Sequence, residues 1–151
     1  MILIPPEVQI KASIRPGCVY YFSEESFTST EPHFFIVLNH SPIDDSMLLL
    51  VCPSSRPDSV RRRRKHLPVQ TLVEIRKEEY AGFTSDSIVD CNTVIEKTVG
   101  ELVVKLSKGA LKVKPDMDMG IIQKLREAVQ ASPMVAEEYK ELLATSTTKT
   151  G

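Results

Sequence analysis

Residues 32–55, PHFFIVLNHSPIDDSMLLLVCPSS, constrain this chain more than any other stretch. Two apolar runs, 34–38 and 47–52, flank a polar connection carrying His40, Ser41, Pro42, Asp44 and Asp45. Each run is short, rich in aliphatic or aromatic residues and too brief for an ordinary helix, so the pattern predicts a β-hairpin. The runs are apolar at nearly every position rather than every second one. Both faces of the strands must therefore be covered, as happens where a sheet curls round on itself. Antiparallel pairing across the turn brings the remote ends of the hairpin together. His33 then enters the first strand beside Ser54, Ser55 and Arg56, which leave the second.

At 151 residues, 42% hydrophobic and 26% charged, the chain suits one globular domain with a real core. No apolar run approaches the roughly 20 residues that cross a bilayer. The opening MILIPPEVQIK lacks the basic and long apolar regions of a secretory signal, which gives the expectation of a cytoplasmic protein without a membrane span. Cys18, Cys52 and Cys91 are odd in number and lack CxxC spacing, which argues against a disulfide framework or a zinc site. They read as small buried hydrophobes. His40 and His66 have no metal-type partner spacing, so neither a metal site nor a cofactor is expected. The net charge of −1 gives no global attraction to nucleic acid. Its distribution is uneven, because Arg61, Arg62, Arg63, Arg64 and Lys65 stand together.

In chain order, residues 1–14 read as a lead-in and Arg15-Pro16-Gly17 as a turn. Residues 18–22, CVYYF, form a strand, followed by a polar loop to Glu31. After the hairpin, 53–65 reads as an exposed loop whose five adjacent cations leave it mobile until phosphates or an acidic partner order it. Further strands are expected over 67–75 and 87–94. Val99, Leu102, Val103 and Leu106 then repeat at helical spacing behind a capping box of Thr98 and Glu101, with an end near Gly109. A second helix, capped by Asp116, carries the stripe Ile121, Ile122, Leu125 and Val129, and a third restarts at Ser132-Pro133 and runs through Leu143. The tail from Thr145 is expected to fray. Five or six short strands and then helices give an α+β domain over 1–151, with a small curled sheet and helices gathered at one end.

The order of these pieces, a PGCVYY start, EPHFFIVLN, LLLVCPSS and SDSIVDCNTVIEK before a helix, resembles the PemK/MazF family of toxin endoribonucleases. In that family a Gly-Asp-Val start precedes an Arg-Pro strand, a strand ending in Pro-Ile-Thr-Ser and a later Ser-Val-Val segment. The resemblance covers about 15–106, leaving 107–151 as a C-terminal helical extension. It implies an SH3-like β-barrel, commonly a homodimer, that cuts single-stranded RNA without a metal ion and is covered by an acidic antitoxin. The nucleophile is a 2′-hydroxyl, which needs a group to take its proton, a donor to the leaving oxygen and positive charge near the phosphate. Ser55 stands at the family's hydroxyl position, Glu31 where the family has arginine, and Asn92 at the later acidic position. His33 as acid or base and Arg56 as substitute guanidinium complete the expected catalytic set of His33, Ser55 and Arg56. Arg61 to Arg64 and Lys65 are the expected RNA-backbone contacts. One member of Tyr20-Tyr21 is a candidate stacking face, while Phe34 or Phe35 is expected in the core. Glu31 and Asn92 also suit a second reading, a non-catalytic RNA- or protein-binding module on the same scaffold.

Overall fold

A computed structural model describes residues 4–144. The elements run α1 (Pro6–Ser13), β1 (Val19–Phe22), β2 (His33–Val37), α2 (Pro42–Asp45), β3 (Leu48–Val51), β4 (Pro53–Ser54), α3 (Pro57–Arg63) and β5 (Leu72–Ile75). They continue through β6 (Ser87–Asp90), β7 (Ile95–Lys97), α4 (Val99–Ser107), β8 (Leu111–Lys114), α5 (Met119–Gln130) and α6 (Glu137–Leu143). The fold is α+β, with two antiparallel sheets: five strands in the order β7-β3-β2-β1-β8, and three in the order β4-β6-β5. The expected hairpin is β2 and β3, with Ile36 opposite Val51 and Val37 opposite Leu50. β3 and β4 are one run of chain interrupted at Cys52, so a single length of backbone passes from the larger sheet into the smaller.

Near-continuous apolarity in the central strands has a direct structural cause. Successive side chains of a strand point to opposite faces, and here each face has its own core. On one face Val19, Ile36, Leu49 and Val51 pack with Ile75 and Val89 of the smaller sheet and with Ile122, Leu125 and Val129 of α5. On the other, Tyr20, Phe22, Phe35, Val37, Leu48 and Leu50 pack with Ile10 of α1 and Leu102 of α4. Phe22 and Phe35 stack there with centroids 4.2 Å apart. Gly17 holds a φ of +85° and a Cβ added to it would sit 3.1 Å from the Met117 carbonyl, so this turn requires glycine. Its amide donates to Val37 O and its carbonyl accepts from Met117, joining β2 to the lead-in of α5.

Several expectations are corrected. The lead-in contains α1, a helix begun by Pro6 at its first turn, where proline's missing N–H is harmless, and anchored by buried Ile10. Residues 53–65 are not an exposed mobile loop: β4 pairs with β6, and Pro57 starts α3, which buries Val60. The arginines at the C-terminal end of α3 complement the helix dipole. The segment after 107 is not helical throughout, because β8 pairs with β1 along its whole length, placing Lys112 opposite Tyr21 and Lys114 opposite Val19. Helices also cover both faces of the larger sheet rather than one end. Shorter strands replace the two long ones: β5 follows a 3-10 turn at Val69–Thr71, and β6 stops at Asp90.

The Thr98–Glu101 capping box is present, Glu101 N donating to Thr98 Oγ1 at 3.1 Å and Thr98 N to Glu101 Oε1 at 2.8 Å. Asp118 rather than Asp116 caps α5, and Asp116 instead accepts from Arg15 Nε at 2.6 Å. The third helix starts at Glu137, four residues beyond Pro133. The tail from Thr145 lies outside the described residues. Among the described residues no helix is long and apolar enough to cross a membrane.

Candidate nucleic-acid interface

An open cleft of about 960 Å³ lies where the ends of β1 and β2 meet β4, α3 and β8. It falls at the upper end of the range for ligand pockets. His33, Ser55 and Arg56, remote in sequence, all line it. The cause is the hairpin, whose antiparallel register returns the chain leaving β3 to the edge where β2 began.

His33 shares the strand phase of Phe35, so it turns to the opposite face from Phe34. Its ring lies edge-on to Phe27, 5.4 Å between centroids. Its Nε2 is buried without a hydrogen-bond partner. A buried polar atom left unpaired costs about 1–3 kcal/mol, so Nε2 is an unmet hydrogen-bonding demand in the wall of the cleft. Ser54 Oγ accepts from Arg56 N at 3.1 Å and closes the local turn. Ser55 and Arg56 next to it are exposed, and among the described residues no hydrogen bond joins them to His33. Glu31 stands at the rim and lines the same cleft.

Helical spacing divides the basic run. Arg63 and Arg64, three and four residues after buried Val60, share its side of α3 and line the cleft, whereas Arg61, Arg62 and Lys65 do not. Arg61 instead approaches Glu74 at 3.5 Å. Arg64 is fixed: its Nε donates to Asp90 Oδ2 at 2.8 Å and its Nη2 to Thr93 Oγ1 at 3.3 Å. Asp90 Oδ1 accepts in turn from Asn92 Nδ2 at 2.9 Å, and Asn92 Nδ2 also donates to Thr71 Oγ1 at 2.9 Å. Asn92 is thus a buried strut behind Asp90 and does not line the cleft.

Sequence reasoning missed Lys112 and Lys114, which reach the cleft from β8. Lys114 Nζ lies 5.2 Å from the centroid of Tyr21, and Tyr21 lies 4.8 Å from the centroid of Phe34. The alternation in Leu111-Lys112-Val113-Lys114 was the available signal, hidden by its position between two strong helices.

The lining holds five cations, Arg56, Arg63, Arg64, Lys112 and Lys114, against the carboxylates Glu31 and Asp90. A concave wall of one sign focuses its field, so the cleft favours anions. Cys52 is half-buried at its edge, where burial pushes the thiol up to about 12 and keeps it protonated near neutral pH. His40 is occupied elsewhere, its Nε2 3.3 Å from the Leu143 carbonyl. Among the described residues no group of three or more His, Cys, Asp or Glu side chains is arranged to hold a metal ion. The arrangement offers cations for phosphates, aromatic faces for bases, an imidazole and a hydroxyl. No family model matches this chain, and no curated protein matches it.

Proposed function

We propose that the protein is a PemK/MazF-like toxin-type protein that acts on single-stranded RNA in this cleft, by metal-independent endoribonucleolytic cleavage. The observation that carries the reading is the gathering of His33, Ser55, Arg56 and Arg63 around one cation-rich cavity. In this reading the 2′-oxygen attacks phosphorus as its proton passes to His33, the P–O5′ bond breaks and the leaving 5′-oxygen takes that proton back from His33. Arg56 stabilises the charge that builds on the phosphate, and Ser55 donates to a phosphate oxygen. The finer fold assignment is an SH3-like barrel, supported by the passage of one strand run from the larger sheet into the smaller at Cys52, a corner such barrels need. Homodimerisation, an acidic antitoxin-like partner and a cytoplasmic location belong to the same proposal.

A second reading, a non-catalytic RNA- or protein-binding module, is favoured by one specific feature. Asn92, at the position where the family carries an acid, is buried and spends its amide on Thr71 and Asp90. One experiment separates the two: long RNA incubated in chelator with wild type and with the His33→Ala/Ser55→Ala/Arg56→Ala variant. Discrete fragments from wild type alone support cleavage. Intact but retarded RNA with both proteins supports the binding module, and intact, unretarded RNA removes both RNA readings.

A further inference from the structure

We infer that β8 is the second backbone-binding wall of the cleft, with Lys112 and Lys114 holding successive phosphates of single-stranded RNA while Tyr21 stacks on the base between them. This deepens the RNA reading and rests on it. The placement follows from register. Lys112 and Lys114 are two residues apart on one strand, so they emerge on the same face about 7 Å apart, a span comparable to that between neighbouring phosphates of an extended strand. Tyr21 stands directly across from Lys112 on β1, and Phe34 directly across from Tyr21 on β2. One cross-strand row therefore presents a cation, a half-exposed aromatic face and an aromatic support in that order. Lys114 Nζ lies 5.2 Å from the Tyr21 ring centroid, close enough to reach a phosphate beside a base on that ring.

The other wall has a different origin. Arg56 and Arg63 come from the start and end of α3, which packs against β6 of the smaller sheet, whereas β8 is the outer strand of the larger one. Arg64 is already neutralised by Asp90. Among the described residues Arg56, Arg63, Lys112 and Lys114 have no carboxylate within ion-pair distance, so these four retain charge for a ligand. A single cationic wall would bind any polyanion along one edge. Two walls with an aromatic face near one of them fit a strand whose backbone is charged and whose bases are unpaired, because a duplex keeps its bases out of reach of the ring.

The test is the salt dependence of binding of a short fluorescent oligouridylate, alongside an abasic strand of equal length and poly-glutamate, to wild type and four variants. For single strands each phosphate contact contributes about 0.7 to the slope of log K against log salt. Lys112→Ala/Lys114→Ala is expected to flatten the slope by about 1.4 and to weaken binding roughly 25-fold at about 0.1 M salt. Lys112→Arg/Lys114→Arg is expected to keep the wild-type slope. Tyr21→Leu is expected to weaken oligouridylate at least about 5-fold with the slope unchanged, and to leave the abasic strand unaffected. Both lysines lie on the surface side of an edge strand, and thermal melts matching wild type certify the fold of each variant.

If oligouridylate binds, and Arg56→Ala/Arg63→Ala weakens it while the lysine pair does not, β8 is not a wall and the RNA reading survives. If wild type binds no oligouridylate, the RNA reading falls and this inference with it. Poly-glutamate competing as well as oligouridylate, with Tyr21→Leu silent, would make the cleft a site for acidic protein segments and overturn the inference.

Discussion

The two faces of the larger sheet are made by the same strands, yet one is sealed except at its His33 end and the other opens. On the sealed face Phe22, Phe35, Tyr20 and Leu50 are fully buried beneath α1 and α4. On the other, the buried run Val19, Ile36 and Val51 is covered by α5 and the smaller sheet, but coverage ends before Tyr21, Phe34, Lys112 and Lys114. A strand can thus contribute to a core at one residue and to the wall of an open cleft two residues on, without any change of backbone. The difference lies in what covers each position, which alternation along the strand leaves free.

The sharpest way to break that contrast is to truncate one ring on each face. Phe35→Ala on the sealed face empties a site with no accessible surface and should cost about 3–5 kcal/mol in urea-unfolding free energy. Phe34→Ala on the open face removes a half-buried ring and should cost less than half as much. Equal losses would mean that the cleft face is as sealed in solution as its opposite.

The next effect in size concerns the wall beside the cleft. Asp90 holds both Arg64 and Asn92, so Asp90→Ala takes the charged partner from a guanidinium left with Thr93 and one of two acceptors from a buried amide left with Thr71, at about 1–3 kcal/mol of stability. The same change releases Arg64 into the cleft. Under the proposed RNA reading, affinity for RNA should therefore rise while stability falls, a combination that a purely structural role for the pair would not produce. Binding titrations and urea melts on one preparation check both signs.

The sealed face also carries a pH-dependent tie. Lys97, opposite Leu48 on β7, places its Nζ 2.6 Å from Glu24 Oε1 and pins the loop between β1 and β2. Burial alone would raise the Glu24 carboxyl, but the close Lys97 ammonium and the hydrogen bonds from Ser26 outweigh it and hold the group below its ordinary value. A carboxyl lowered in the folded state contributes stability that is complete above its unfolded value and vanishes as pH falls through its native one. Glu24→Gln should therefore cost about 1–2 kcal/mol near neutral pH and nothing in strong acid. Thermal melts across that window check it, and a constant difference at all pH values would remove the linkage.

What was legible in the sequence follows the same division. The β2–β3 hairpin and the α5 stripe were readable because burial and periodicity coincide in each, and the Thr98 capping box because its bonds are local, between an exposed threonine and a glutamate three residues on. The convergence of His33 with Ser55 and Arg56 on one cleft followed from antiparallel pairing alone. The helical state of 57–63 was hidden because five cations mask the one apolar residue, Val60, that anchors it. β8 was hidden because four residues of alternating Leu, Lys, Val and Lys are stabilised by pairing with β1, a partner about 90 residues away that no local pattern announces. α1 was missed for a related reason, since Ile10 alone is buried and the helix has almost no stripe.

The smallest effect tests the division of the basic run by helical geometry. Arg62 and Lys65 are exposed and do not line the cleft, whereas Arg63, between them in sequence, does. If the run acted as a block of charge, replacing any one of its members would reduce the salt slope of RNA binding equally. If α3 orients it, Arg63→Ala should lower the slope by about 0.7 while Arg62→Ala and Lys65→Ala leave it nearly unchanged. All three should alter stability by no more than about 0.5 kcal/mol, as expected for surface positions without a packed partner. Equal slopes for the three variants would show that long-range potential rather than the face of α3 governs binding, and Arg63 would lose its distinction from its neighbours.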